Sequence, residues 1–146
     1  MMKSNEHTWG PPAAWMALVL GLLLSLPAMA GDKKLPGTWE VVGTPDAGSM
    51  VDPFVNLARI DADGGIVNVD PSEGTAVGDW KYLGTGHYAV TFHGFLPGGA
   101  LRFKVEAVVL VSPGGSQFGG PFVTDVSDGS GNVVFSFGGE VQASRL

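Results

Sequence analysis

Two of the three histidines, His87 and His93, and a few clustered carboxylates are the residues after position 30 suited by type to metal or acid–base chemistry. His87 and His93 have the same parity in an alternating stretch and so share a face, but the strand residues between them set them about 20 Å apart, too far to hold one ion. That face is the outer one, beside Val108 and Arg102. Asp61-Ala62-Asp63-Gly64-Gly65 has the opening spacing of a calcium loop, yet Gly65 stands where the third ligand belongs and Ser72 where the bidentate glutamate belongs. It reads as a hairpin turn. Nucleophilic catalysis lacks its parts: there is no cysteine, no Gly-x-Ser-x-Gly elbow, and no histidine expected to face inward with a serine and a carboxylate. The glycine pairs lack the lysine and following helix of a phosphate loop, so Gly119-Gly120 and Gly138-Gly139 read as places where strands bend. No catalytic residue, metal site or cofactor follows from these residues.

What remains is spatial, and it depends on the elements that carry the side chains. Turn signals at fairly even spacing divide the chain after residue 30 into eight strands, at roughly 37–43, 54–61, 65–70, 78–83, 86–95, 100–111, 116–127 and 132–143. Seven mostly short connections predict an antiparallel meander. Centring the last turn between Gly129 and Ser130 sets Val126 opposite Val133 and Phe122 opposite Phe137, which makes one face almost wholly apolar. Centring another on Pro97-Gly98 pairs Phe92 with Phe103 and Tyr88 with Ala107, again sorting apolar from polar. Carried across five strands, this register predicts a layer of Trp80, Tyr88, Ala107, Gly120 and Gly139, two large rings reaching toward three small residues. The fold class is therefore all-β, a single eight-stranded antiparallel up-and-down barrel; the alternative is a β-sandwich of the same strands. A barrel removes the edges that an open meander exposes.

The first thirty residues read as a signal peptide. Lys3 lies ahead of an uncharged run from Ala13 to Leu26, and Ala28-Met29-Ala30 supplies the small-x-small cleavage pattern, leaving residues 31–146 as one barrel domain in the periplasm or secreted. Lys3 and Glu6 cancel, so that domain keeps the net charge of −6. With no basic cluster beyond Lys33-Lys34, neither nucleic acid nor an acidic membrane surface is expected as a partner, and no stable membrane insertion of the domain.

Gly37-Thr38-Trp39 resembles the Gly-x-Trp signature on the first strand of lipocalins and the wider calycin superfamily of ligand-binding barrels. In those barrels an arginine at the end of the last strand covers the tryptophan at the closed end, and Arg145 has the parity for that role. The resemblance implies structural closure through Trp39 and Arg145 and a cavity at the other end. Thr124-Asp125-Val126 does not match the family's middle motif. The pattern of Gly78-Asp79-Trp80, Tyr88-Ala89-Val90-Thr91-Phe92, Asp128-x-x-Gly131-Asn132-x-Val134 and Arg145 is also similar to small bacterial barrel proteins, a likeness that implies no activity.

In such an arrangement loops 44–53, 71–77, 96–99 and 128–131 gather at one end, above Phe92, Phe103, Phe122, Phe135 and Phe137, with Tyr88 and Trp80 as further lining. The rim they form carries Asp46, Asp52, Asp70, Glu73 and Asp128 and no lysine or arginine. An acidic mouth over an apolar interior favours a cationic amphiphile over a fatty acid. The leading expectation is an exported barrel holding a small apolar or amphipathic molecule. One alternative is a filled barrel acting as a structural or protein-interaction module through outer residues such as Val108, Leu110 and Val123. Another is an isomerase or cyclase without a covalent nucleophile, using Tyr88 and Trp80 to position its substrate.

Overall fold

A computed structural model of the chain describes residues 34–146; the segment read as a signal peptide lies outside them. Eight strands follow in order: β1 (Gly37–Pro45), β2 (Phe54–Ile60), β3 (Gly65–Asp70), β4 (Gly74–Gly84), β5 (His87–Phe95), β6 (Arg102–Val111), β7 (Gln117–Ser127) and β8 (Val133–Arg145). Each pairs antiparallel with the next, and β8 pairs with β1, so the sheet closes into an up-and-down barrel and not a sandwich. Burial alternates residue by residue, as in β2, where Asn56, Ala58 and Ile60 are buried between exposed neighbours. Following the register from Trp39 through Ala58, Asn68, Ala76, Gly94, Phe103 and Val126 leads to Phe135, whereas Trp39's other partner is Arg145. The circuit thus closes with a stagger of ten residues, which over eight strands tilts them by about 40° and opens the interior enough for one small ligand.

Closed-end packing is dense. Leu35, Trp39, Tyr88 and Val109 are sealed from solvent, and Leu35, just ahead of β1, plugs the floor. Gly139 is required where β7, β8 and β1 bend together: a Cβ there would strike the Thr44 carbonyl and the Phe122 ring. Phe54 lies over Gly43, and Phe103 over Gly94, in the same way.

The hairpin registers differ from those expected by two residues, and the reason lies in the turns. Leu96 N–H donates to Leu101 C=O at 3.0 Å, closing a four-residue loop where two residues were counted, so Phe92 faces Val105 and Tyr88 faces Val109. In the last hairpin Asp128 N–H donates to Asn132 C=O at 2.9 Å around a three-residue loop in which Gly131 takes φ +87°. An odd loop alone would turn β8 inside out. A bulge at the start of β8 restores the parity, setting Ser127 opposite Val133 but Val126 opposite Phe135. β4 also begins earlier than expected, because Asp70 Oδ1 accepts hydrogen bonds from Ser72 N (2.7 Å) and Glu73 N (3.0 Å), tightening the β3–β4 turn to three residues.

The far rim is slanted. β1 pairs with β8 only up to Pro45 and Gly139, followed by a single bond from Asp46 N–H to Gly138 C=O at 2.9 Å. β8 from Val133 to Phe137 therefore stands above its β1 neighbour, with Phe135 38% exposed.

Candidate functional site

Below the slanted rim the barrel encloses a cavity of about 310 Å³. Its apolar wall comes from inward positions of seven strands, all but β4, with Phe54, Phe92, Phe103, Phe122 and Phe137 as the large members. Phe135 stacks on Phe137 (centroids 5.6 Å), Phe137 meets Phe122 edge-on (6.0 Å), and Phe122 meets Phe54 (5.8 Å), a file of rings running from the exposed rim to the interior.

Of the residues expected to line the cavity, Phe92, Phe103, Phe122 and Phe137 lie in its wall. Phe135 sits at the rim above it. Trp80 and Tyr88 lie beneath, because the true register carries them toward the closed end: their rings meet at 5.5 Å, Trp80 Nε1 donates to Asp61 C=O (2.8 Å), and the Tyr88 hydroxyl accepts from Lys34 N–H (3.2 Å). Trp80 lies opposite Val90 and not opposite Tyr88, so the expected five-residue layer does not form.

The closed end is built around Trp39. Its Nε1 donates to Leu35 C=O at 2.8 Å, Phe118 packs edge-on at 4.7 Å, and the Arg145 guanidinium covers the ring at 4.2 Å. Arg145 also donates from Nε to Gly115 C=O (2.8 Å), from Nη1 to Pro36 C=O (2.8 Å) and from Nη2 to Lys34 C=O. It ties the last strand to the segment before the first.

Sequence reasoning missed the polar part of the wall. Asn56 and Asn68 are buried on β2 and β3, in phase with Ala58, Ile60 and Ile66. That phase was visible in the alternation and is the signal that could have found them. We orient the Asn56 amide with its nitrogen toward Asp70 Oδ2 (2.6 Å) and its oxygen accepting from Asn68 Nδ2 (3.1 Å), the orientation that satisfies both ends. Asp70 Oδ1 accepts from Ser72 Oγ as well (2.6 Å).

Asp52, Asp70 and Glu73 border the mouth. Desolvation pushes the Glu73 carboxyl above its ordinary range, and the neighbouring Asp70 carboxylate adds to the effect. Asp128, in the β7–β8 turn, is held below its ordinary range by hydrogen bonds from the backbone of Asn132 first and of Ser130, and lies outside the wall. Arg102 opens β6 near the same rim, but its guanidinium rests outward over Phe95 at 5.4 Å.

No protein-family model, curated protein or solved structure matches this chain.

The geometry must therefore speak for itself. Among the described residues no group of three or more His, Cys, Asp or Glu is placed to hold a metal ion, and on the outer face the His87 ring is hydrogen-bonded to Thr85 Oγ1 (3.2 Å). Asp61 and Asp63 serve the β2–β3 turn, where Asp63 Oδ1 accepts from Gly65 N–H at 3.2 Å. What the arrangement can do is exclude water from a small molecule and offer it hydrogen bonds on one side.

Proposed function

We propose that the protein is an exported barrel, periplasmic or secreted, that binds a small apolar or amphipathic molecule inside this cavity. The observation that carries the reading is the cavity itself: about 310 Å³, walled by phenylalanines, shut below by Leu35 and Trp39, and bordered at its mouth by Asp52, Asp70 and Glu73. At ~30 Å³ per water this is the space of roughly ten waters, suited to one ring system or a short chain. The contact of Arg145 with Trp39 supports the calycin-like reading. Titrating the full-length protein with N-phenyl-1-naphthylamine, a neutral fluorophore, should give saturable one-to-one binding with a blue-shifted emission. Ala107→Trp, which fills the cavity, should abolish it while the far-ultraviolet circular dichroism stays that of a β-protein. No saturable response in the unmodified protein would overturn the reading.

A second reading, a module acting through its outer surface, is favoured by one observation. Val42 pairs with Val55, Leu57 with Val69, and Val67 with Val77, all exposed on the outer face of β1 to β4, a larger apolar patch than that of Val108, Leu110 and Val123. It becomes the leading reading if the titration fails. The isomerase or cyclase reading loses its positioning residues, since Tyr88 and Trp80 lie below the cavity.

A further inference from the structure

The polar groups of the cavity are unevenly distributed. Every titratable side chain in the wall is acidic and comes from one sector: Asp52 from the β1–β2 loop, Asp70 from the end of β3, and Glu73 from the β3–β4 turn. Among the described residues β4 to β8 contribute no titratable side chain to the wall, and no lysine, arginine or histidine lines it. Asp70 is fixed by four hydrogen bonds, from Ser72 N, Ser72 Oγ, Glu73 N and the Asn56 amide. A carboxylate held so firmly cannot turn away from Glu73 to relieve their repulsion.

Two further groups point to an occupant. Thr124 is only 5% exposed and lines the cavity, and its hydroxyl has no hydrogen-bond partner among the described residues. The Asn68 side-chain oxygen, on a residue equally buried, accepts no bond from them either. Among the described residues every side-chain nitrogen or oxygen sealed from all accessible space has a partner, so these two atoms face the open cavity. A hydroxyl and a carbonyl that open only onto the cavity, on residues otherwise buried, are placed to hydrogen-bond whatever occupies it. In strand order β7 and β3 are four apart in either direction, which sets Thr124 and Asn68 on opposite walls.

We infer that the ligand of this cavity is a small amine, its ammonium seated among Asp70, Glu73 and the Asn68 oxygen, its apolar body against the phenylalanines, and a second hydrogen-bonding group reaching Thr124. The inference rests on the proposal that the cavity binds a small molecule and adds the ligand's charge and polarity. A cation between Asp70 and Glu73 replaces repulsion with two attractions, in a setting less screened than open solvent. A carboxylate in the same place would add a third like charge. The raised Glu73 carboxyl supplies the pH signature: as pH falls Glu73 protonates before ordinary carboxylates do, so amine affinity falls first through its loss.

The test uses one apolar body with three head groups, 4-phenylbutylamine, 4-phenylbutanol and 4-phenylbutyrate, each displacing N-phenyl-1-naphthylamine from the full-length protein at pH 7.5. The amine should displace it competitively, about tenfold more tightly than the alcohol, with the butyrate weakest. Glu73→Gln should weaken the amine roughly fivefold, weaken the alcohol by a smaller factor, and remove the part of the amine's pH dependence that lies above ordinary carboxylate titration. Thr124→Val should weaken 4-amino-1-phenylbutan-1-ol, which carries a second polar group, by a larger factor than it weakens 4-phenylbutylamine. Equal affinity for the three head groups, or an amine that binds without displacing the fluorophore, would overturn the inference while leaving the cavity reading standing. Failure of the fluorophore itself to bind would remove both.

Discussion

Arg145 is the residue on which closure turns. Its guanidinium does two things that a lysine cannot combine: it lies flat on the Trp39 ring at 4.2 Å and fans donors toward carbonyls of two separate segments, Gly115 on one side and Lys34 and Pro36 on the other. Gly37 answers to the same group, since a Cβ there would meet the guanidinium and its φ of +148° is one that L side chains rarely adopt. Because the arginine is partly solvated, Arg145→Ala should cost about 1 to 2 kcal/mol, and Arg145→Lys should recover only part of it. Urea denaturation followed by tryptophan fluorescence measures both, and an unchanged midpoint for Arg145→Ala would refute this account of the closed end. The contact of Arg145 with Trp39 was legible through the resemblance to calycin barrels, with which the parity of Arg145 and the closure of the sheet agree. Its carbonyl partners were not, since a backbone oxygen has no residue type to read.

At the scale of the strands, what the sequence carried was parity. Alternation put Phe92, Phe103, Phe122 and Phe137 inward, and they are inward, because a face once buried cannot slip by one residue without exposing itself. A slip of two preserves every face and is decided by turn geometry, which is why Tyr88 and Trp80 were expected in the cavity but lie below it. The bulge at the start of β8 shows how closely the two are linked: Gly131 lengthens the turn by one, and the extra residue cancels the inversion that would follow. Asn56 and Asn68 escaped notice for a different reason. A polar residue at an inward position reads as a break in the pattern until the cavity explains it. Gly120 gives a test at this scale, because a Cβ there would collide with the Val108 carbonyl, where Pro121 already interrupts the β6–β7 ladder. Gly120→Val should therefore destabilise by about 1 to 3 kcal/mol. Gly129→Ala, where a Cβ meets nothing within reach, should shift the thermal midpoint little by comparison. Equal effects would show that β7 moves freely against β6.

The barrel of the described residues has a sealed base and an oblique lip, and the same closure that seals the base dictates an order of events in time. Each neighbouring hairpin joins strands that are close in sequence, but the bond from Arg145 to the Lys34 carbonyl joins residues 111 positions apart. The entropy of closing so long a loop is recovered only when most of the sheet is already in place. Contacts around Trp39 and Arg145 should then form after the rate-limiting barrier to folding. Arg145→Ala should speed unfolding by the full extent of its stability loss and leave the refolding rate nearly unchanged, whereas Val126→Ala, within the β7–β8 hairpin, should slow refolding. Stopped-flow measurements across a range of urea concentrations separate the two limbs, and slower refolding in Arg145→Ala would place closure at the start. If closure is last, the latch governs how long a folded barrel survives and not how quickly one is made: the arginine acts as a brake on opening, and the lifetime of the native state can be tuned there without disturbing the cavity at the other end.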